Sequence, residues 1–402
     1  SGFTISMETN VNSTSYIDYG TTPDLEMGTV QGQENTTQHS VEFTGLDEAG
    51  IYYMKPYAIS GEDTTPAQTF VYSTASASSG EMKVYFNHQA DPSVSTGEYP
   101  VTATENIADT VISYLQKAQQ SIDITMYDVE SYQIIQAINS IHDQGISIRY
   151  ITDDPYDGYP ENAVLDSLNE GIPVLKGNYE KIMHNKFIVI DAGSVDNSWV
   201  ITGSLNHTYA NLGMDYNNMI CIQDQALAKA FTLEFNEMWG SDELTPDEEN
   251  ARFGNQKTDD TPHKFIVNNT LMELYFSPSD NTTEAIIDAI GTAENTLHFG
   301  IMVFTENSLG DAVLNAHNAG VDVTGIIDYV EFSGSEFDYL LDNGVEVIDY
   351  QNPDGTSWPE GPVFHHKYAI FDQAGSNAKL ITGSHNWSAS AESVNDENTL
   401  II

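Results

Sequence analysis

Basic residues are scarce in this chain: 13 lysines and arginines face 60 aspartates and glutamates over 402 residues, a formal net charge of -47. Such a surface stays soluble in strong salt and repels polyanions at low ionic strength, where charges act across a Debye length of ~10 Å at 0.1 M. The balance points to an extracellular, secreted protein from a saline or divalent-rich setting. A single cysteine, Cys221, excludes any internal disulfide. Its place in the apolar run Met219-Ile220-Cys221-Ile222 marks a buried, inert thiol rather than a nucleophile. No apolar run approaches the ~20 residues of a membrane-spanning helix, and no leader-peptide pattern is present. The chain opens at Ser1-Gly2 and stops inside an apparent strand at Leu400-Ile401-Ile402, so a longer natural product is expected.

Hydrophobic residues make up 40% of the chain, enough for a globular protein with a large core and two or three domains. Over residues 1–75, short runs such as Phe3-Thr4-Ile5-Ser6-Met7 and Ser40-Val41-Glu42-Phe43 alternate apolar and polar positions. That period of two predicts a small all-β sandwich. The order Val41-Glu42-Phe43-Thr44-Gly45-Leu46, then Gly50-Ile51-Tyr52-Tyr53, resembles a fibronectin type III domain that lacks its first strand. Modules of that kind space an enzyme or attach it to a cell surface or matrix. Residues 76–81, small and polar, read as a linker.

From Met82 onward the chain is written twice. Lys83-Val84-Tyr85-Phe86 parallels Glu273-Leu274-Tyr275-Phe276, and the helical pattern from Ile107 to Ala118 parallels that from Thr283 to Ala293. Strands then alternate with helices in both halves, and Gly145 and Gly320 each close a helix just before a strand. The pattern predicts an α/β protein of two pseudo-symmetric α/β/α sandwich lobes, residues 82–240 and 269–402, behind the small β-sandwich. Residues 241–268 are acidic and polar and read as an exposed connector.

Each half carries the same motif. Met183-His184-Asn185-Lys186 with Asp191 is followed by Gly203-Ser204-Leu205-Asn206; Phe364-His365-His366-Lys367 with Asp372 is followed by Gly383-Ser384-His385-Asn386. In an extended strand, residues two apart share a face, so each copy presents an imidazole and an ammonium together. Two such pairs suit chemistry on a phosphodiester. It needs cations around the phosphoryl oxygens, a nucleophile and a proton donor for the leaving oxygen, with no cofactor or metal required.

This doubled His-x-Lys-x4-Asp pattern with Gly-Ser-x-Asn resembles the phospholipase D superfamily. The resemblance implies a covalent phosphohistidine, with His184 as nucleophile and His365 as acid/base. Lys186, Lys367, Asn206 and Asn386 would hold the phosphoryl group. Ser204 and Ser384 would orient the strand ends, and Asp191 and Asp372 would tie the motifs to neighbouring backbone, although a turn-initiating aspartate explains either equally well. Members of the family also carry an acidic residue beyond the second motif that steadies a histidine. Here Glu397 takes that place in the second copy and Asn217 in the first, so the two histidines are expected to be unequal, with the carboxylate behind His365.

Tyr156, Trp358, Trp387 and Lys181 stand where substrate could be met, by stacking or by charge. The expected substrate is nucleic acid, with phospholipid headgroups second. A catalytically idle surface- or carbohydrate-binding scaffold is the alternative of another class. The net charge counts against nucleic acid, and the lack of an evident interfacial helix counts against lipid.

Overall fold

The computed structural model describes residues 1–65, 68–89, 102–103, 106–154, 162–177, 182–352, 355–356, 361–373 and 375–402. The N-terminal part is all-β. Strand Gly2–Gly20 pairs with Thr36–Thr44 along its first half and with Gly28–Gln31 and Ile51–Ser60 along its second, the change falling at an irregularity between Glu8 and Ser13. The alternating runs at residues 3–7 and 15–19 therefore belong to one strand. Ile5, Ile17, Val41, Phe43, Tyr52 and Met54 form its core, and the Tyr52 hydroxyl accepts the Asp47 N–H at 3.0 Å, closing the corner between strands.

The stretch read as a linker is pinned to the next unit. Ser76 Oγ donates to Asp224 at 2.5 Å, Ser79 Oγ to Gln223 at 2.6 Å, and Ser78 Oγ accepts the Gln225 N–H at 3.0 Å. Small hydroxyl residues, which composition alone assigns to a flexible spacer, here cap and brace the helix Gln225–Trp239. Lys229 on that helix reaches back to the Ala49 carbonyl at 2.7 Å.

Each repeat folds into a mixed sheet with the same strand order. In the first, Val174–Lys176, Ser147–Thr152 and Ser121–Met126 run parallel, followed by antiparallel Lys186–Ile190, Trp199–Gly203, Asn218–Ile222 and Met82–Phe86. In the second, Glu346–Asp349, Asp322–Ile327 and Thr296–Ile301 run parallel, followed by Lys367–Phe371, Lys379–Gly383, Glu397–Ile401 and Thr270–Ser277. Helices Ile107–Leu115 and Tyr132–His142 cover the outer face of one sheet, and Thr282–Ile290 and Asn307–Asn318 that of the other.

The α/β expectation holds, with one layer used twice. Helix Gln225–Trp239 lies between the two sheets. Phe231 meets Phe187 of the first sheet at 4.9 Å and Phe276 of the second at 5.2 Å, within a core that also takes in Leu274 and Leu400. The lobes are thus joined through a common hydrophobic core, and the histidine motifs fall at the carboxyl ends of the central parallel strands, where Lys186 pairs with Met126 and Lys367 with Ile301.

Candidate active site

Each histidine sits just before a strand whose far end is fixed by the motif aspartate. Asp191 accepts three backbone N–H groups, from Gln119, Gln120 and Ser121, each at 2.8 Å. Asp372 does the same for Glu294, Asn295 and Thr296 at 2.7–2.9 Å. Both adopt a left-handed backbone (φ 47° and 46°), which aspartate tolerates better than most residues. Burial opposes ionisation of Asp372, but its three N–H donors hold the carboxyl below its ordinary value. These geometries favour the tie to neighbouring backbone over a simple turn.

The histidine end of each strand is gripped by the opposite lobe. The His184 N–H donates to the Asp396 carbonyl at 3.0 Å, and the His365 N–H to the Tyr216 carbonyl at 2.9 Å. A carboxylate at the tip of a parallel strand steadies each approach: Asp153 accepts the Met183 N–H at 2.8 Å and Asp328 the Phe364 N–H at 2.6 Å. Burial pushes these carboxyls up to about 7 and about 6. Neither stands in the motif. Aligning Ile151-Thr152-Asp153 with Ile326-Ile327-Asp328 would have exposed them as a repeated pair.

Side-chain pairing also crosses between lobes, which corrects one expectation. Glu397 lies behind His184, not His365, with its carboxylate oxygens 2.7 and 2.8 Å from Nδ1. Behind His365 stands the amide of Asn217, whose Oδ1 is 2.9 Å from Nδ1. Strand Glu397–Ile401 ends at the first lobe's motif, so a residue following one motif serves the other. Burial alone would raise the Glu397 carboxyl, but the His184 ring and Lys186 hold it below its usual range, so it is ionised.

Ser204 Oγ donates to Asn217 Oδ1 at 2.9 Å and accepts the Asn218 N–H at 3.1 Å; Ser384 Oγ accepts the Asn398 N–H at 3.0 Å. The preceding glycines are required: a Cβ on Gly203 or Gly383 would collide with the carbonyl of Asn218 or Asn398. A second layer beneath repeats the symmetry, with Asn218 bonded to His366 and Asn398 to Asn185.

Lys186 and Lys367, each 2% exposed, fold back so that Nζ donates to the carbonyl of its own histidine at 2.7 and 2.8 Å. Burial lowers the Lys186 ammonium to about 7, against the pull of Glu397, and holds Lys367 well below its ordinary value. Burial, opposed by Glu397, lowers His184 to about 4; burial with the charges of both lysines keeps His365 well below 6.5. His184, His365, Asn206 and Asn386 all line one cleft of about 760 Å³, walled by Tyr127, Asp128, Glu130, Asn211, Met214 and Tyr329. The amide oxygens of Asn206 and Asn386 have no hydrogen-bond partner. A phosphoryl group in this cleft would meet two imidazoles and two amides, with each lysine ammonium held on the carbonyl of its own histidine beside them.

Of the substrate contacts expected, Trp387 is corrected: it is 1% exposed and packs on Phe299 and Phe304 at 5.5 and 5.0 Å, in the core of the second lobe. Tyr156, Trp358 and Lys181 lie outside the described residues. Among the described residues the cleft aromatics are Tyr127, whose ring is 4.9 Å from His184, and Tyr329. They follow non-equivalent strands, Tyr127 after Ser121–Met126 and Tyr329 beyond Asp322–Ile327, so the repeat itself does not point to them.

This fold and paired site define the phosphodiester-hydrolase class of the phospholipase D superfamily. The chain belongs to the family described as "Cardiolipin synthase, PLD-like domain", whose model matches residues 111–239 and 286–402, more than half of the sequence. It is similar to the mitochondrial cardiolipin hydrolase of Xenopus tropicalis, 27% identical over 156 residues that cover 38% of this chain and 72% of the frog protein. It is also similar to that of Drosophila melanogaster, 30% identical over 145 residues covering 32% and 57%. The chain thus spans 57% to 72% of the length of these curated relatives. Among solved structures, polyphosphate kinase from Porphyromonas gingivalis shares the fold, with a TM-score of 0.51, 12% identity, and coverage of 80% of this chain and 47% of that one. The expected extracellular, secreted location is overturned by these relatives, which are named as mitochondrial proteins. Net charge speaks to solubility and repulsion, not to address.

Proposed function

We propose that the chain hydrolyses phosphodiesters through a phosphohistidine on His184, with His365 as the proton carrier. The observation behind this reading is the inequality of two imidazoles on one cleft, one backed by the carboxylate of Glu397 and the other by the amide of Asn217. A carboxylate on Nδ1 raises the nucleophilicity of Nε2 and offsets the positive charge the ring gains on bonding phosphorus. The His184 nitrogen forms the P–N bond as the P–O bond to the leaving group breaks, and His365 gives its proton to the departing oxygen. Neutral His365 then takes a proton from water, whose oxygen displaces His184 and frees a phosphomonoester. Lys186, Lys367, Asn206 and Asn386 hold the non-bridging oxygens as charge moves onto them.

For the substrate, we place a phospholipid ahead of nucleic acid, against the order reached from sequence. The relatives are named for hydrolysing cardiolipin. Among the described residues no lysine or arginine lines the cleft wall, whereas Asp128, Glu130 and Asp215 do. A polynucleotide needs cations for successive phosphates; a lipid presents one phosphodiester at a time. Met214, which lines the cleft just after the helix Tyr209–Gly213, and Tyr209, which begins that helix, are 56% and 59% exposed and offer apolar contact.

The test uses bis(p-nitrophenyl)phosphate, phosphatidylcholine vesicles, cardiolipin vesicles and single-stranded DNA. The parent should turn over the chromogenic ester, and Glu397→Gln should lower kcat ~10–100-fold. His365→Ala should still release a first nitrophenolate, which needs no acid, and accumulate a nitrophenylphosphoryl group on His184. A phosphoryl group trapped elsewhere, or none trapped, would sink the assignment. Cleavage of DNA with both lipids untouched would restore the original substrate order.

A further inference from the structure

We propose that Lys257, in the stretch between the repeats, is a positioning residue for the His184–Glu397 pair and acts through Asp396. The inference rests on the histidine reading above. Sequence places Lys257 in an acidic, exposed connector, yet it is 7% exposed and its side chain is fully enclosed. Its ammonium donates to Glu234 Oε1 at 2.5 Å and to the Ser277 carbonyl at 2.9 Å, and stands 3.2 Å from Asp396 Oδ1. Those partners lie on the shared central helix, on a strand of the second lobe, and immediately before Glu397. One side chain therefore ties three segments that converge on the site.

Asp396 is the hinge of this arrangement. Its carbonyl accepts the His184 N–H at 3.0 Å and its N–H donates to the Ile182 carbonyl at 2.9 Å, so its backbone docks the histidine segment. The next residue, Glu397, holds the ring itself. The Asp396 carboxylate is fully buried; Oδ1 also accepts the Gly254 N–H at 2.7 Å, and Oδ2 has no hydrogen-bond partner. A buried carboxylate so placed needs a counter-charge, and Lys257 supplies it. Burial opposes the Lys257 ammonium, but Glu234 and Asp396 outweigh that and hold it protonated.

The mirror position shows that this is not a general requirement of the fold. Tyr216 stands where Asp396 stands and makes the same two backbone bonds, to Val363 and His365, at 2.9 Å each. Among the described residues Tyr216 carries no ion pair. On the His365 side the Asp215 carboxylate accepts the Val363 N–H at 3.0 Å, so what sets the His184 side apart is the lysine ion pair on Asp396. Mere attachment of one lobe to the other would be served by the apolar contacts of Phe231, Phe276 and Leu400.

The experiment uses the full chain with Lys257→Met, Asp396→Asn and the double variant, and Lys83→Met as a surface control. It measures bis(p-nitrophenyl)phosphate turnover well below each melting temperature, and records imidazole nitrogen NMR. Each single variant should lose ~10–100-fold in kcat with little change in KM, since displacement of a reacting group by about 1 Å costs that much. The double variant should lose no more than the worse single, as expected for residues acting in one chain of contacts. The His184 Nδ1–H resonance should shift in all three and stay put in Lys83→Met. A folded Lys257→Met with the parent's kcat and His184 resonance overturns the proposal, as do additive losses. If Lys257→Met fails to fold, Asp396→Asn decides by the same readouts. If the parent itself turns over no phosphodiester, the functional reading fails, and the resonance still decides whether Lys257 positions His184.

Discussion

His365 shows how a ring's neighbours hold its charge down. Its ring is buried beside Lys367, Lys186 and His184, all of which disfavour a proton on it, yet its proposed task requires one. A bound phosphodiester supplies the missing negative charge: it offsets the lysines and lifts both His365 and Lys186, so the acid is armed when substrate arrives. The expected outcome is net proton uptake when inorganic phosphate or vanadate binds, measured in weakly buffered solution. Uptake should grow from pH 6 to pH 8, because free Lys186, at about 7, passes from charged to neutral over that interval and is recharged on binding. Proton release, or no exchange, would show that His365 and Lys186 are already fully charged before the anion binds.

The strand that carries each motif is held at both ends by carboxylates, and the two ends differ in kind. At the histidine end Asp153 and Asp328 each take one backbone N–H. At the far end Asp191 and Asp372 each take three. Hydrogen bonds to an ionised acceptor contribute more than neutral ones, so Asp372→Ala should cost ~2–4 kcal/mol in urea unfolding, and Asp372→Asn less. A loss of only a few tenths of a kcal/mol would return Asp372 to an ordinary turn residue. The connector between the repeats, expected to be exposed, is not exposed throughout. Lys257, Phe253 and Thr261 are buried within it, and no local pattern of polar residues reveals which of them a distant carboxylate will claim.

For the molecule as a whole, the charge of -47 makes folding work against self-repulsion. Salt shortens the reach of that repulsion, from ~30 Å at 0.01 M to ~3 Å at 1 M, so the melting temperature should rise with sodium chloride over this range. A flat or falling melting temperature would mean that the surface carboxylates are already neutralised by protons or bound cations. The doubled motif, the alternation of strand and helix, and the membership they imply could all be read along the chain, because each depends on residues a few positions apart. The pairing of Glu397 with His184, 213 residues away, could not. Nor could the burial of Trp387 or the single helix serving two sheets. Those follow from how the lobes face each other: a strand end that leaves one lobe arrives beside the other lobe's histidine, and only packing across the shared core fixes which charge meets which ring.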